Sequence, residues 1–258
     1  MRDISAPLGI ICALPEERAA LLDFLTDVEH REIVGREVLI GWINDRSVAL
    51  VECGVGKVAA AMLATLLIRE FDCRALLVSG VAGGVDPALA IGDIVVARRL
   101  IQHDFGRLQA DGLTPFRPGS APLGPGRHDY AYVMSEELAG RIEFALADVK
   151  LINLPSDLGQ RNGVGRNRRI VMGTIVSGDQ FINDETVRQR LQSDFQADAV
   201  EMEGAAVAQV AELFGIPVVV VRSLSDFAGS DSHLDFGRFV ATVAPDAARV
   251  IRRLAAVI

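Results

Sequence analysis

Short apolar, β-branched runs alternate along this chain with segments of helical periodicity. The runs predict strands at residues 8–13, 48–52, 75–79, 93–97, 170–176 and 218–222. The periodic segments predict helices at 16–25, 57–70, 136–147, 185–192, 203–214 and 236–257. Such alternation predicts an α/β fold, a three-layer α/β/α sandwich with a central mixed sheet, and it places functional groups at the strand ends.

One segment departs from this rhythm. Residues 106–127 are rich in Gly and Pro and show neither period, which predicts a long irregular loop; a functional lid and a surface excursion both remain open. In the last predicted helix, Pro245 is expected to kink or divide the helix. The remaining pattern predicts a single domain over residues 1–258 with an insertion at 106–127.

Composition excludes several kinds of partner. A net charge of -8 disfavours nucleic acid, because binding a phosphate backbone needs a basic surface. No apolar run reaches the roughly 18 residues of a membrane span, so we expect no membrane insertion. Cys12, Cys53 and Cys73 are widely spaced among apolar residues, which predicts buried thiols and a cytoplasmic location. A small molecule is the expected partner.

Familiar catalytic motifs are missing. The stretch Gly54-Val55-Gly56-Lys57 precedes a helix but lacks the spacing of a Walker phosphate loop, and residues 80–84 lack the GxGxxG spacing of a dinucleotide site. Both glycine clusters are interpreted as tight turns. The four histidines show no metal-ligand spacing, and neither His103-Asp104 nor the second His-Asp pair defines a triad. We therefore expect no metal and no cofactor.

Carboxylates at predicted strand ends carry more information. Glu17 follows the first strand where a helix starts, although it could simply complement the helix dipole. Asp226 follows an apolar strand, with a turn aspartate as the alternative. Glu201 and Glu203 lie in apolar surroundings, where charge is costly unless something binds it. Three acidic groups at three strand ends predict one shared cleft.

Eight motifs in order resemble those of the purine nucleoside phosphorylase superfamily, most closely the bacterial methylthioadenosine/S-adenosylhomocysteine nucleosidases. The resemblance runs from residue 9 to about residue 239, interrupted mainly by the 106–127 insertion. The motifs are GIICALPEE (9–17), CGVGKVAAA (53–61), SGVAGG (79–84), GDIVV (92–96), VSGDQFIND (176–184), VEMEGAAVA (200–208), VVRSLSDFAG (220–229) and SHLDF (232–236).

This resemblance implies hydrolysis of a purine N-glycosidic bond and assigns a role to each matching residue. Asp226 is expected to be the acid that protonates the leaving purine, and Glu17 to polarise the attacking water, as in an inverting glycosidase. Glu203 is expected to bind the ribose hydroxyls. The other matches are Met202 on the sugar face, Glu201 in support, Phe181 and Ile182 at the base, Val55 and Phe236 at the 5′ substituent, and Arg222 and Ser225 beside the water and the acid.

The chain also departs from the family pattern. Val81 stands where the resemblance implies a serine that helps hold the water, and Val78 and Val81 stand where the phosphorylase branch holds phosphate. Loss of charged phosphate contacts favours water as the nucleophile. The expected substrate is a 5′-modified adenosine, and the resemblance further implies a homodimer. Phosphorolysis, futalosine hydrolysis and nucleoside binding without catalysis are the alternatives.

Overall fold

The computed structural model describes residues 3–110, 112–120, 130–151, 167–226, 228 and 236–258. The strands are β1 (Asp3–Cys12), β2 (Thr26–Ile33), β3 (Arg36–Ile43), β4 (Arg46–Glu52), β5 (Ala75–Gly84), β6 (Ile94–Gln102), β7 (Gly106–Gln109), β8 (Gly112–Pro115), β9 (Tyr132–Val133), β10 (Ile170–Ser177), β11 (Ala199–Glu201) and β12 (Val218–Asp226). The helices are α1 (Pro15–Leu22), α2 (Lys57–Glu70), α3 (Glu136–Leu146), α4 (Glu185–Phe195), α5 (Gly204–Phe214) and α6 (Phe236–Leu254).

A mixed sheet forms the centre of the molecule. Its strand order is β11-β10-β6-β12-β5-β1-β4-β3-β2, with β9 paired to β6. Strands β4, β1, β5 and β12 run parallel to one another, whereas β12 is antiparallel to β6. The parallel set brings the ends of β1, β5 and β12 to one edge, where the sequence places its functional groups.

The sheet closes on itself at one end. Strand β11 pairs with β10 in parallel and also with the end of β5 in antiparallel, so that Val200 lies opposite Gly83 and Ala199 opposite Gly84. The closure brings the residues that follow β11 beside the last turn of β5. Two segments more than 100 residues apart in sequence thereby become neighbours.

Two apolar layers cover the sheet. Along β1, Ile11 belongs to one core cluster, while Ile10 and Cys12 belong to the other, because successive strand side chains point to opposite faces. Helices α2 and α5 contribute to the first cluster, and α1, α3 and α6 contribute to the second. This arrangement confirms the predicted three-layer α/β/α fold with a mixed sheet.

Strands β2 and β3 are absent from the predictions. The side chains of β2 are almost all exposed, so the strand has no apolar alternation to detect. The turn between the two strands places Val34 and Gly35 at positive φ, and a β-branched residue at such a position is an unusual turn signal.

The structure contradicts an irregular loop at the start of 106–127 and a division of the last helix at Pro245, whereas a kink at Pro245 stays a prediction. The first part of the 106–127 segment is a hairpin of β7 and β8 rather than an irregular loop, with Gly112 at a φ of 127° beside the turn. Residues 111 and 121–127 lie outside the described residues. Helix α6 continues through Pro245 and is not divided there. Burial of its apolar face, which includes Ala244, Ala247 and Ala248, stabilises the helix against the proline.

The cysteines are free and buried, as the sequence predicts. Cys12 and Cys53 belong to core clusters on opposite faces of the sheet. In the described part of the chain, no helix is both long enough and apolar enough to cross a membrane.

Candidate active site

One cleft, about 720 Å³ including its open mouth, lies where β1, β5, β11 and β12 end. Its size suits a small molecule. Its lining contains every predicted site residue but one: Glu17, Val55, Val81, Phe181, Ile182, Glu201, Met202, Glu203, Arg222, Ser225 and Asp226. The exception is Phe236, whose side chain lies outside the described residues. The expectation that the three acidic clusters share one cleft therefore agrees with the structure.

Glu17 is fixed by the start of helix α1. Pro15 begins the helix, and the Glu17 carboxylate reaches back past it to accept hydrogen bonds from the backbone N–H groups of Ala13 (2.8 Å) and Leu14 (3.0 Å). Its other oxygen accepts the N–H of Val81 at 2.9 Å. Burial raises the pKa of Glu17, although Arg222 and these N–H groups act in the opposite direction. Glu17 thus complements its helix and faces the cleft.

Gly80 allows β5 to pass close to this carboxylate. A β-carbon at position 80 would collide with Nη1 of Arg222 and lie 2.6 Å from Oε1 of Glu17. Gly80 lies within strand β5 and not in the predicted tight turn, and the absence of a β-carbon there leaves room for the Arg222 and Glu17 side chains. Strand β5 continues to Val81, which meets Leu14 and helix α6 through Val240 and Val243.

Arg222 lies at the centre of the acidic groups and is only 1% exposed. Its Nη2 donates hydrogen bonds to Glu201 and, at 3.1 Å, to Oε2 of Glu203. Burial would lower the pKa of Arg222, but Glu201, Glu203 and Glu17 raise it overall. A permanently charged guanidinium therefore holds these carboxylates together.

Glu201 is committed to protein contacts. Its oxygens accept the Ser177 hydroxyl, the Arg222 guanidinium, the Glu203 N–H at 3.1 Å, and the Gly204 N–H at 2.8 and 3.0 Å. The Ser177 oxygen in turn accepts the Ala205 N–H at 2.8 Å. Glu201 and Ser177 thus satisfy the first N–H groups of helix α5, a task that usually falls to the residue before a helix.

That residue is Glu203, and its carboxylate is free of the capping task. It accepts the Gly56 N–H at 2.8 Å and the Arg222 guanidinium, while lining the cleft. Burial is the main effect that raises the pKa of Glu203. Arg222 lowers this pKa and repulsion from Glu201 raises it further, so that the net value is about 7. Near neutral pH both the protonated and the ionised form of this buried carboxyl are therefore populated.

Asp226 ends strand β12 opposite Gly83 of β5. Its Oδ2 accepts the Ser225 hydroxyl at 2.8 Å, and its Oδ1 accepts the Ala228 N–H at 2.7 Å. The carboxyl is 8% exposed. Both oxygens are therefore oriented while the group borders the cleft.

Apolar side chains form the rest of the cleft. Phe181 and Val55 are 53% and 54% exposed at its mouth, and Ile182 and Val200 are buried deeper. Sequence reasoning missed the lining residues Ala13, Leu14, Gln180 and Val200, and it interpreted Ala82 and Gly83 only as part of a tight turn lining a pocket. Most of them lie beside predicted strand ends or motif residues, which is the signal that could have identified them.

The arrangement combines three buried carboxyl groups, those of Glu17, Glu203 and Asp226, with an apolar wall. Among the described residues that line the cleft, Arg222 alone carries a cationic side chain, and it is already bonded to two carboxylates. A neutral ligand with hydroxyl groups and an aromatic ring fits this chemistry. An anionic ligand would meet mostly negative charge.

Comparisons with known proteins agree on one family. Residues 7–256 match the phosphorylase superfamily. A 5′-methylthioadenosine/S-adenosylhomocysteine nucleosidase of Mycobacterium bovis is 42% identical over 97% of each chain. The solved structure of Helicobacter pylori futalosine hydrolase has a TM-score of 0.81 at 30% identity and covers 98% of each chain. That of a Colwellia psychrerythraea 5′-methylthioadenosine/S-adenosylhomocysteine nucleosidase with adenine has a TM-score of 0.80 at 31% identity, over 99% of this chain and 97% of that one.

Proposed function

The chain belongs to the phosphorylase superfamily, and we propose that it is a nucleosidase that hydrolyses the N-glycosidic bond of a 5′-modified adenosine such as 5′-methylthioadenosine or S-adenosylhomocysteine. The observation that carries this proposal is the position of Glu17, Glu203 and Asp226, three buried carboxyl groups along one cleft. The 42% identity to a nucleosidase of this activity supports it.

In the proposed mechanism, Asp226 donates a proton to the leaving purine as the bond to the ribose breaks. Ser225 and the Ala228 N–H orient its two oxygens. Glu17 accepts a proton from the water that attacks the anomeric carbon. Burial strengthens its affinity for a proton, which suits a general base, and three backbone N–H groups fix its direction.

Binding of the nucleoside involves a second set of groups. The ionised Glu203 carboxylate accepts the ribose hydroxyls, and Met202 packs on the sugar. Phe181 and Ile182 hold the base. Val55 faces the 5′ substituent, and the same contact is proposed for Phe236. Arg222 acts beside the water by holding Glu203 in place, and Glu201 supports Arg222.

Water is favoured over phosphate as the nucleophile. A phosphate would need a positive charge that is not already neutralised, whereas the Arg222 guanidinium is paired with Glu201 and Glu203. Val81 presents an apolar side chain to the cleft, and Val78 is buried within β5. With valine at position 81, the water is positioned by Glu17 and Arg222.

Futalosine hydrolysis is the second candidate. The structural similarity to H. pylori futalosine hydrolase, at 30% identity, favours it specifically. Both reactions break the same type of bond with the same acid and base. The difference lies in the 5′ substituent, which meets the open side of the cleft near Val55.

A substrate panel tests these alternatives. The purified protein is incubated with methylthioadenosine, S-adenosylhomocysteine, futalosine and inosine, with and without phosphate, and released base is measured by chromatography. We expect adenine release from the first two substrates without phosphate. Strict dependence on phosphate with a sugar phosphate product would indicate a phosphorylase, and binding without release of base from any substrate would indicate a non-catalytic protein.

Three further properties belong to the proposal. The chain acts as one domain over residues 1–258. It forms a homodimer, which would cover the exposed apolar side chains of Val55 and Phe181 at the mouth of the cleft. It works in the cytoplasm, where its three free thiols stay reduced.

A further inference from the structure

A compact ion cluster lies beside the cleft without lining it. It consists of Lys57, Asp104 and Asp179, named here the lysine cluster. The Lys57 ammonium is 2.5 Å from Oδ1 of Asp104 and 3.7 Å from Oδ2 of Asp179. None of the three residues is part of the cleft lining. The cluster joins three segments that are distant in sequence, namely the start of α2, the end of β6 and the turn after β10.

Two hydrogen bonds from backbone N–H groups also connect the segments of the lysine cluster. The Asp179 carboxylate accepts the Lys57 N–H at 3.0 Å, and the Asp179 N–H donates to Oδ2 of Asp104 at 2.8 Å. Helix α2 begins after Gly56, which has no side chain with which to cap it. Asp179 therefore supplies the missing cap from another segment, at the helix end where a negative charge is favourable.

Two of the three segments that meet at the lysine cluster, the start of α2 and the turn after β10, continue into walls of the cleft. Val55 lies two residues before Lys57, and Phe181 and Ile182 follow Asp179 directly after Gln180. Gly56, between Val55 and Lys57, donates its N–H to Glu203. Movement of Lys57 relative to Asp179 would therefore change the distance between two walls that face a ligand.

We propose that Lys57, Asp104 and Asp179 are positioning residues that hold the base-binding wall against the wall bearing Val55 and thereby set the affinity for the nucleoside. This inference rests on the proposed function, because it concerns the same cleft. It gives a role to Lys57 in the GVGK stretch and to Asp104 in the His-Asp pair, two sequence features that the reaction itself does not use.

The charges of the cluster are unbalanced, and this provides a test. Burial alone would raise the pKa of Asp104, but hydrogen bonds from Lys57 and from the Asp179 N–H lower it, so Asp104 is ionised at neutral pH. Without the ammonium, two carboxylates would face each other and separate the walls. Removal of the Asp104 charge as well would relieve this repulsion, and Asn keeps an oxygen that accepts the Asp179 N–H.

The experiment compares Lys57→Met, Asp104→Asn and the double variant with wild type. Lys150→Met is the matched control, because Lys150 is the chain's other lysine and is exposed. With methylthioadenosine, we expect Lys57→Met to raise KM about tenfold with kcat within about twofold, since only binding walls are displaced. The double variant should return toward the wild-type KM. Thermal unfolding and circular dichroism verify that each variant is folded.

Calorimetry with adenine separates this inference from the proposed function. Adenine binding requires the base-binding wall but does not require turnover. A wild-type protein that binds adenine without hydrolysing any nucleoside would therefore refute the proposed function, and the effect of the cluster on adenine affinity could still be measured. We expect the dissociation constants for adenine to follow the same order as the KM values, with the weakest binding in Lys57→Met. Three outcomes would overturn the positioning role. They are an unchanged affinity in Lys57→Met, a double variant at least as impaired as Lys57→Met, and no adenine binding by wild type.

Discussion

The Ser225 hydroxyl donates a hydrogen bond to Oδ2 of Asp226 at 2.8 Å, while the neighbouring Ala228 N–H occupies Oδ1 at 2.7 Å. These two bonds determine the direction in which the Asp226 carboxyl faces the cleft. Protein groups alone thus orient the side chain, which favours efficient proton transfer to a base bound in the cleft.

Asp226→Asn tests the acid role. Asn keeps an oxygen that accepts the Ala228 N–H but cannot donate a carboxyl proton, so we expect kcat to fall by about 10² to 10⁴ with an unchanged fold. Steady-state kinetics with methylthioadenosine and circular dichroism measure the two effects. Turnover within about tenfold of wild type would exclude Asp226 as the acid.

Ser177→Ala tests whether Ser177 caps helix α5 in place of Glu203. The substitution leaves the buried Ala205 N–H without its acceptor and removes one donor from Glu201. We expect the free energy of unfolding to fall by about 1 to 3 kcal/mol in urea. Ser193→Ala is the control, because Ser193 is exposed on α4 and should change stability by less than about 0.5 kcal/mol. Equal stability of the two variants would contradict the capping role of Ser177.

Gly80→Ala tests the close approach of β5 to Glu17 and Arg222. The new methyl group would displace Arg222 and Glu17, so we expect activity to fall by about 10²-fold and stability by about 1 to 3 kcal/mol. Gly140→Ala is the matched control, since a β-carbon at position 140 of helix α3 meets nothing within 4 Å. That control should gain about 1 kcal/mol of stability. Full activity in Gly80→Ala would show that the cleft does not need this approach.

Glu203 makes stability depend on pH in a definite direction. Its pKa is raised from the ordinary 4.5 to about 7, so between these values the folded chain holds a proton that the unfolded chain has released. The stability contributed by this proton is present below pH 4.5 and is lost as the pH rises through about 7. Glu203→Gln should therefore be more stable than wild type at pH 8, with little difference at pH 4. Urea unfolding at both pH values measures this; an equal difference at both would show that Glu203 is not the group involved.

The same proton should govern substrate binding. If the ionised carboxylate accepts the ribose hydroxyls, as proposed, kcat/KM should fall about tenfold per pH unit below pH 7 in wild type. A pH profile from 5 to 9 with methylthioadenosine tests this expectation. Glu203→Gln should lose most activity and also this acidic limb, whereas a limb that persists unchanged in the variant would assign the titration to another group.

Much of the fold and of the site was predictable from sequence because the signals are local. Buried strands require β-branched runs, and Pro15 with Glu17 specifies the start of a helix within three residues. A carboxylate in apolar surroundings requires a partner wherever it folds, so Glu203 and Asp226 were recognisable as candidates before any partner was known. The exposed strand β2 offered no such signal and was missed.

What only the tertiary structure decided is which distant groups meet. Strand β11 closes onto β5, so that Glu203 reaches Gly56, 147 residues away, and Arg222 reaches both Glu201 and Glu203. The capping of α5 by Ser177 and of α2 by Asp179 likewise joins segments that are separate in sequence. The physical reason is that these hydrogen bonds and charges act over a few ångströms in space, and no spacing along the chain encodes a contact between segments that a sheet brings together.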